Sequence, residues 1–188
     1  MKREKLQRVF SHIPTLKTER LLLRKIVPTD ALDMYAYARL PQVTAFLLWK
    51  CHPDREYTRQ YIEYLQSRYA AGDFFDFAVA LRENDRMIGT CGFTSFDTPH
   101  NEGELGYVLH PDFHGQGLAT EAAGAVLRFG FETLGLHRIT ARCMEENRSS
   151  LRVMEKCGMQ REGLLRDAVY KDGRYHSLIL SAILAEEF

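Results

Sequence analysis

The fold is decided by one stretch in the middle of the chain, Glu104-Leu-Gly-Tyr-Val-Leu-His-Pro-Asp-Phe-His-Gly-Gln-Gly-Leu-Ala-Thr-Glu121. Its pattern predicts a strand over Leu105–Leu109, a break at Pro111, a turn over His114–Gly117 and a helix over Leu118–Leu134. A glycine turn that opens a helix leaves several backbone N–H groups without partners, and the helix dipole adds positive potential there. The stretch therefore predicts an anion site suited to a phosphate or pyrophosphate.

The pattern on both sides of this stretch predicts alternating strands and helices. The strands are predicted at residues 18–27, 74–81, 87–96, 137–144, 159–165 and 175–184. Helices are predicted from Thr29 or Asp30, over residues 54–71 and over residues 147–156, with a loop at residues 40–53. This order contains no internal repeat and no linker, so it predicts one α/β domain over residues 1–188, with a central mixed sheet flanked by helices. Residues 1–14 are interpreted as a flexible or helical extension.

Composition narrows the class of protein. Twenty-five acidic and twenty-five basic side chains give a net charge of zero, so no global field attracts nucleic acid or an anionic membrane. No apolar run approaches the roughly 20 residues that a membrane helix needs. No apolar segment follows the charged start Met1-Lys-Arg-Glu-Lys, which argues against a signal peptide. We therefore expect a cytoplasmic protein with no direct nucleic-acid or membrane partner.

The cysteines and histidines do not predict a metal site. No Cys-x-x-Cys pair occurs, so the thiols are expected to be reduced. His110 and His114 have the spacing of metal ligands on a helix, but Pro111 and Gly115 argue against a helix there. The cysteines are Cys51, Cys91, Cys143 and Cys157.

The glycine turn does not fit the common nucleotide motifs. A P-loop needs Lys-Ser/Thr where Leu118-Ala119 stands, and a dinucleotide fingerprint needs a third glycine where Thr120 stands. The turn instead resembles the pyrophosphate loop of the GNAT N-acetyltransferases, Arg/Gln-x-x-Gly-x-Gly/Ala, with His114 at the usual Arg or Gln position. The run over residues 115–122 is most similar to the RimJ/RimL branch, whose members acetylate the N-terminal amines of ribosomal proteins.

This resemblance implies a GNAT fold over about residues 15–185, with acetyl-CoA as co-substrate and no metal. In the family, the strand before the loop diverges from its neighbour and binds the pantetheine arm. The amides of Val108 and Leu109 are the candidate donors to the thioester carbonyl; the alternative is that both are ordinary sheet residues. The pyrophosphate is expected on the loop residues His114, Gly115, Gln116, Gly117, Leu118, Ala119 and Thr120.

Glu104 is the candidate base that removes a proton from the acceptor amine. Strand alternation puts Glu104 on the same face as Gly106 and Val108, and several GNAT enzymes carry a glutamate on this strand. It could act directly or through a water. The alternative is a solvated carboxylate at the strand edge, and Glu102 is a weaker candidate for the base.

A second motif begins at Asn147, in the sequence Asn-Arg-Ser-Ser-Leu-Arg-Val-Met-Glu-Lys-Cys-Gly-Met159. It resembles the CoA-contact segment of the family, which implies that Asn147 contacts the pantetheine arm and that Ser150 hydrogen-bonds the CoA sulfur. Many members carry a tyrosine as general acid immediately before the glutamate, but here Met154 occupies that position and cannot donate a proton. Asn147 could also be a plain helix cap, and Ser150 a solvated residue of the first turn.

The predicted reaction is acetyl transfer by direct attack of an amine within a ternary complex. An acetyl-cysteine intermediate is not indicated, because neither Cys91 nor Cys157 has an evident partner. The preferred acceptor is a protein or peptide N-terminus, such as that of a ribosomal protein. The alternatives are a small amine (a polyamine, an amino acid or an aminoglycoside) and a weakly catalytic or non-catalytic module that binds CoA or a peptide.

Two further predictions concern the surroundings of the acceptor site. The resemblance implies that Trp49 and its neighbours contact the acceptor. The tyrosines of the second helix either line an aromatic pocket or pack that helix on the sheet. The last strand could support a homodimer. The tyrosines are Tyr57, Tyr61, Tyr64 and Tyr69.

Overall fold

In the computed structural model, which describes residues 3–188, helices and strands alternate along the chain. The α-helices are α1 (Arg3–Ser11), α2 (Ala31–Ala38), α3 (Pro41–Thr44), α4 (Arg55–Ala71), α5 (Leu118–Arg128) and α6 (Arg148–Lys156). The strands are β1 (Leu16–Lys17), β2 (Leu21–Arg24), β3 (Asp76–Leu81), β4 (Met87–Asp97), β5 (Glu102–Leu109), β6 (Arg138–Met144), β7 (Gln160–Lys171) and β8 (Arg174–Leu184). Short 3₁₀ turns lie at Pro28–Asp30 and Pro111–Phe113, and a π-helical segment at Phe129–Leu134 follows α5.

Within residues 3–188 these strands form one mixed sheet. The strand order is β1-β2-β3-β4-β5-β6-β8-β7. All neighbouring strands are antiparallel except β5 and β6, which are parallel and are connected through α5. This confirms the predicted α/β class with a central mixed sheet.

The two faces of the sheet carry different hydrophobic clusters. One cluster joins α1, α5 and α6 to the sheet through residues such as Phe10, Val126 and Met154. The other joins α2 and α4 through residues such as Tyr37 and Ile62. Burial on both faces explains why the central strands are rich in apolar residues at successive positions rather than at alternate ones.

Local sequence signals account for the helix ends. Asp54 caps α4 by accepting a hydrogen bond from the N–H of Tyr57 at 2.7 Å, and Gly72 ends that helix with φ 66°. Asn147 caps α6 in the same way through the N–H of Ser150. Gly117, with φ 79°, precedes α5. These left-handed conformations are ones that glycine adopts without strain.

The structure differs from the predicted pattern in several places. The predicted first strand, residues 18–27, is shortened to β2, with the short strand β1 before it, and the predicted loop at residues 40–53 contains α3. The N-terminal segment is helical over Arg3–Ser11, while residues 1–2 lie outside the described part of the chain. β7 continues to Lys171, well beyond the predicted end at residue 165. No helix among the described residues is long and apolar enough to cross a membrane.

Candidate active site

The strands β5 and β6 separate shortly after they begin. They pair at Glu102 with Arg138, at Gly103 with Ile139 and at Glu104 with Thr140. β5 then stays paired with β4 up to its end, and β6 stays paired with β8 up to its end. One edge of residues 105–109 therefore faces a gap in the sheet.

Hydrogen bonds at both ends of β5 show which amides face this gap. The N–H of His137 donates to the carbonyl of Asn101 at 2.8 Å, on the β6 side of the strand. The N–H of His110 donates to the carbonyl of Ile88 at 2.7 Å, on the β4 side. Because backbone groups alternate between the two edges of a strand, the odd-numbered residues of β5 point to the gap.

This alternation places the two amides that were predicted to donate to the thioester carbonyl on opposite edges of β5. The amide of Leu109 faces the gap, whereas that of Val108 points to β4. The carbonyl of Val108 lies so close to Gly89 that a Cβ added to this glycine would be 2.1 Å from it. Val108 is therefore not placed for the role predicted for its amide. The amide of Tyr107, which the sequence analysis did not single out, shares the gap-facing edge with Leu109.

The gap opens into a cleft of about 390 Å³. Residues 46–48 form one wall, and side chains of β5, β6 and α6 form the others. The structure thus brings together the predicted residues of both sequence motifs, which are more than 40 positions apart. The polar residues and the methionines that line it are Thr94, Glu104, Tyr107, Arg142, Met144, Asn147, Ser150 and Met154.

A tyrosine and a serine meet at this cleft. The hydroxyl oxygen of Tyr107 is 2.9 Å from Oγ of Ser150, and the tyrosine O–H also lies 3.0 Å from the Ser150 carbonyl oxygen. Burial raises the pKa of Tyr107 well above its ordinary value, although the hydrogen bond with Ser150 opposes the shift. The phenol therefore keeps its proton at neutral pH, and two hydroxyl groups meet at the cleft.

The helix α6 holds this pair in place. Oδ1 of Asn147 accepts a hydrogen bond from the N–H of Ser150 at 3.2 Å, so Asn147 is a cap that also faces the cleft. Met154 is 2% exposed and belongs to the core, so it packs α6. Tyr107 was not among the predicted site residues, because a general acid was expected in α6. The only indication in the sequence was its alternation with Leu109 along β5.

Glu104 lies in the cleft, but both of its carboxylate oxygens are engaged. Nε of Arg142 donates to Oε1 at 3.0 Å, and a terminal nitrogen donates to Oε2 at 2.5 Å. The hydrogen bond with Glu104 raises the pKa of Arg142. Glu102 is likewise paired, with Arg138 at 3.2 Å. The guanidinium group of Arg142 therefore partly balances the charge of Glu104.

The glycine turn forms an open anion cradle at the other end of the gap. Gly115 and Gly117 have φ values of 75° and 79°, and a Cβ added to Gly115 would meet nothing within 4 Å. The first backbone bond of α5 runs from Glu121 to Gly117, so the amides of residues 118–120 have no partner within the helix. These features fit a pyrophosphate, as the sequence predicts.

The two long side chains of the turn stabilise its backbone. Nε2 of His114 is 2.9 Å from the carbonyl oxygen of Leu109, and Nε2 of Gln116 donates to the carbonyl of Asp112 at 3.0 Å. Because both side chains are engaged in this way, His114 and Gln116 would contribute to an anion site through their backbone N–H groups. The turn is fixed to the end of β5, the strand that borders the gap.

Arg20 adds a positive charge beside the cradle. It donates to the carbonyl of Gln116 at 3.0 Å and pairs with Glu121 at 2.7 Å, and its side chain is half exposed. Glu121 also accepts hydrogen bonds from the Thr18 hydroxyl at 2.6 Å and from the Arg20 N–H at 2.8 Å. The sequence analysis missed Arg20, because a contact across about a hundred residues leaves no local pattern.

The predicted acceptor contacts are only partly reproduced. Phe46, Leu47 and Leu48 line the cleft, whereas Trp49 lies one residue beyond them, with its ring centroid 5.8 Å from that of His52. In α4, the face that packs on the sheet is formed by Thr58, Ile62, Leu65 and Tyr69, all buried. The other three tyrosines of α4 keep a third to a half of their surface exposed.

The thiols are poorly suited to nucleophilic attack. Burial raises the pKa of Cys91 well above its ordinary value, raises that of Cys143, and raises that of Cys157 to about 11. The thiolate is the reactive form of cysteine, so these shifts suppress covalent chemistry at neutral pH.

The divergent strands, the glycine cradle at a helix N-terminus and the pair of hydroxyl groups between them are the features expected of an acyl-CoA-dependent acyltransferase. The sequence profile described as an acetyltransferase (GNAT) domain matches residues 20–160. The chain belongs to this family, so it is an N-acetyltransferase, and members of the family use acetyl-CoA.

Relatives and a solved structure agree with this assignment. The chain is 34% identical to the uncharacterized N-acetyltransferase p20 of Bacillus licheniformis, over 93% of this chain and 98% of that protein. It is 27% identical to the ribosomal protein uS5-alanine N-acetyltransferase of Escherichia coli, over 95% of each chain. A crystal structure of a GNAT-family acetyltransferase from Bacillus anthracis superimposes with a TM-score of 0.83 at 32% identity, covering 93% of this chain and 100% of that one.

Proposed function

We propose that the protein transfers the acetyl group of acetyl-CoA to the N-terminal amine of a protein or peptide, by direct attack within a ternary complex. The observation that carries this proposal is the gap between β5 and β6. It runs from the anion cradle to the Ser150–Tyr107 pair, so it could hold the pantetheine arm between them.

The residues divide the chemistry as follows. The amides of residues 115–120 hold the pyrophosphate, and the gap-facing amides of Tyr107 and Leu109 donate to the thioester oxygen as it gains negative charge. The amine nitrogen attacks the thioester carbon, and the C–S bond breaks. The Ser150 hydroxyl, backed by the Tyr107 phenol, gives a proton to the departing thiolate and regains one from the attacking nitrogen.

Direct attack is supported by the state of the thiols. An acetyl-cysteine intermediate needs a nucleophile whose pKa is lowered by a base or a positive charge. The pKa values of Cys91, Cys143 and Cys157 are raised instead.

A protein N-terminus is supported as acceptor by two observations. A relative that matches nearly the whole chain is named as an alanine N-acetyltransferase of a ribosomal protein. In addition, Phe46, Leu48 and Trp49 are 40%, 69% and 38% exposed beside the cleft, an apolar surface on which the residues after a peptide N-terminus could pack. A ribosomal-protein acceptor would place the reaction in the cytoplasm.

The test is a thiol-release assay with acetyl-CoA and a panel of acceptors, combined with calorimetry of CoA binding. The panel contains peptides that begin with Ala, Ser or Met, the same peptides already N-acetylated, polyamines, amino acids and aminoglycosides. Turnover on the free peptides but not on their acetylated forms is expected. Turnover confined to small amines would contradict the proposed acceptor, and CoA binding without turnover on any acceptor would contradict catalysis.

A further inference from the structure

An ion pair crosses the gap between β5 and β6 where the two strands separate. The last backbone pair joins Glu104 to Thr140, and Arg142 follows on β6. Nε of Arg142 and one terminal nitrogen donate to the two carboxylate oxygens of Glu104, at 3.0 Å and 2.5 Å. The Glu104 side chain is largely buried, whereas that of Arg142 is nearly half exposed. The pair therefore presents its guanidinium group to a molecule that enters the cleft.

This ion pair and the pair of hydroxyl groups lie on opposite faces of the sheet. Tyr107 contacts Ser150 of α6, and side chains alternate along β5, so Glu104 points to the other face. Leu47, from the wall of the cleft, packs on that same face, against the cluster that Val108 also contacts. An amine that approaches past this wall meets the ion pair, while a CoA sulfur bound at Ser150 lies on the opposite side of the gap.

Arg142 has hydrogen-bond donors that Glu104 leaves free. A guanidinium group presents two edges, each of which can form a pair of parallel hydrogen bonds. Glu104 occupies the edge formed by Nε and one terminal nitrogen. None of the hydrogen bonds found among residues 3–188 uses the other terminal nitrogen of Arg142. The second edge is therefore available to bind an oxygen atom of a ligand.

The charges of the cleft favour an acceptor with a single amine. Among the described residues, Glu104 and Arg142 are the only charged ones that line the cleft, and their formal charges cancel. Met144, Val169 and Leu178 make other parts of its lining apolar. A second cation on the acceptor would find no free carboxylate there and would meet the guanidinium group, which is an unfavourable like-charge contact. Polyamines and aminoglycosides carry such additional cations.

We propose that Arg142 and Glu104 together recognise the first residue of a peptide acceptor. The free edge of Arg142 donates to the carbonyl oxygen of that residue, and Glu104 accepts a hydrogen bond from its α-amine. In a peptide N-terminus only the Cα separates the amine from the carbonyl group, which matches two adjoining groups of one ion pair. The inference rests on the proposed acetyl transfer to a protein N-terminus and makes Arg142 a specificity-determining residue of that same site.

The decisive experiment compares two peptides that differ in one atom. One has an ordinary first peptide bond, and the other has a thioamide there, whose sulfur is a much weaker hydrogen-bond acceptor than oxygen. Wild type should show a KM about 10-fold higher for the thioamide peptide, because a hydrogen bond from a charged donor is lost. Arg142→Gln should raise the KM for the ordinary peptide about 30-fold and reduce the difference between the two peptides to less than about twofold.

The same variant should gain activity on a diamine. Removal of the guanidinium group leaves the charge of Glu104 unbalanced, so kcat/KM for putrescine should rise at least 10-fold over wild type. A loss of stability cannot produce such a gain. Arg142→Lys keeps the positive charge but lacks the second edge, so it should still exclude putrescine while losing the discrimination between the two peptides.

Arg161→Gln is the matched control, because Arg161 is exposed on β7 and does not line the cleft. It should leave kcat, KM and the preference between acceptors unchanged. CoA affinity, measured by calorimetry, should stay within about twofold in every variant, because none of these side chains belongs to the anion cradle.

Several results would contradict the inference. Equal use of the two peptides by wild type would overturn it and leave the proposed function standing. A thioamide effect that persisted in Arg142→Gln would mean that another group binds the carbonyl oxygen, and an unchanged kcat/KM for putrescine would remove the argument from charge. If Arg142→Gln does not fold, the comparison of the two peptides with wild type and Arg142→Lys decides. Absence of turnover by wild type on every peptide would instead reject the proposed function, and this inference with it.

Discussion

At the residue scale, the contact between Tyr107 and Ser150 carries the clearest prediction. Ser150→Ala removes the hydroxyl proposed to protonate the leaving thiolate, so kcat should fall about 100-fold while CoA affinity stays within about twofold. Tyr107→Phe removes the second hydroxyl of the pair and should lower kcat about 10-fold. Steady-state thiol release and calorimetry measure both quantities.

The matched control for this pair is Tyr170→Phe, which removes a phenol that is 63% exposed on β7. It should leave kcat unchanged. If Ser150→Ala weakened CoA binding as much as it lowered kcat, Ser150 would be a binding residue and the proton-donating role would be wrong.

The residues that sequence reasoning found are those that belong to continuous motifs. Asn147 and Ser150 lie three positions apart on one helix turn, and Glu104 begins the stretch that contains the cradle, so local patterns identify them. Arg20 reaches the site through tertiary contacts. No spacing rule predicts that Glu121 would hold Arg20.

At the scale of elements, the turn before α5 can be tested through its glycines. Gly117→Ala forces a side chain into a left-handed backbone, which should cost about 1–2 kcal/mol of stability. The change should also lower CoA affinity at least 10-fold, because the strained turn can relax only by moving the amides of the cradle. Urea unfolding and calorimetry report the two effects separately.

Gly173→Ala is the control, because Gly173 has φ 84° and open space around it at the tip of the β7–β8 hairpin. It should show a similar loss of stability with unchanged CoA affinity. Equal losses of affinity in the two variants would mean that general destabilisation, and not the cradle, explains the effect.

The contact between Glu121 of α5 and the segment before β2 predicts that the stability of the protein depends on pH. Burial acts to raise the pKa of Glu121, but hydrogen bonds from Thr18 and Arg20 outweigh it, and the pKa is lowered. A lowered folded-state pKa stabilises the protein above the unfolded pKa of about 4.3, and this contribution is lost as pH falls through the folded value. Glu121→Gln should therefore cost about 1–2 kcal/mol at pH 7, and the difference from wild type should vanish in acid.

Urea unfolding of both proteins at a series of pH values from pH 7 downward measures this difference. Glu132→Gln, on the exposed side of the π-helical segment, is the control and should change little across the series. A difference between wild type and Glu121→Gln that did not shrink as the pH fell would show that packing, rather than charge, fixes this contact.

Most helices and strands were predictable because the periodicity of their apolar residues agrees with the capping and turn residues at their ends. The predicted bounds of α4 and β8 match the structure to within a residue. The errors lie where tertiary contacts decide the structure. The predicted helix 118–134 changes to a π-helical segment at Phe129, where Gly130 lies against Ile139 and a Cβ would be 2.7 Å from its side chain. β7 runs on because it pairs with β8 again at Val169–Lys171, after a shift in register that follows Leu165.

At the scale of the whole molecule, the N-terminal helix is part of the core. Phe10 is fully buried and contacts the rings of Phe75, Phe77, Phe96 and Phe129. Phe10→Ala should cost about 3–5 kcal/mol, since it leaves a cavity among these rings. Thermal and urea unfolding measure the loss.

Leu32→Ala, which alters a side chain that is 63% exposed on α2, should cost less than about 0.5 kcal/mol. A small effect of Phe10→Ala would mean that α1 is loosely attached, as expected for a flexible extension. The predicted homodimer is not tested by any of these variants and stays a prediction.

The short pairing between β5 and β6 has a thermodynamic consequence. The sheet is continuous on each side, but only three ladder pairs join β5 to β6, so in the free enzyme this boundary is a weak line in the middle of the sheet. A ligand that bonds to both edges joins them, and at a hundred times its Kd it should add about 2.7 kcal/mol to the free energy of unfolding. Hydrogen exchange should slow most at the amides of Leu105, Tyr107 and Leu109. Release of CoA would then restore that weak line in every catalytic cycle.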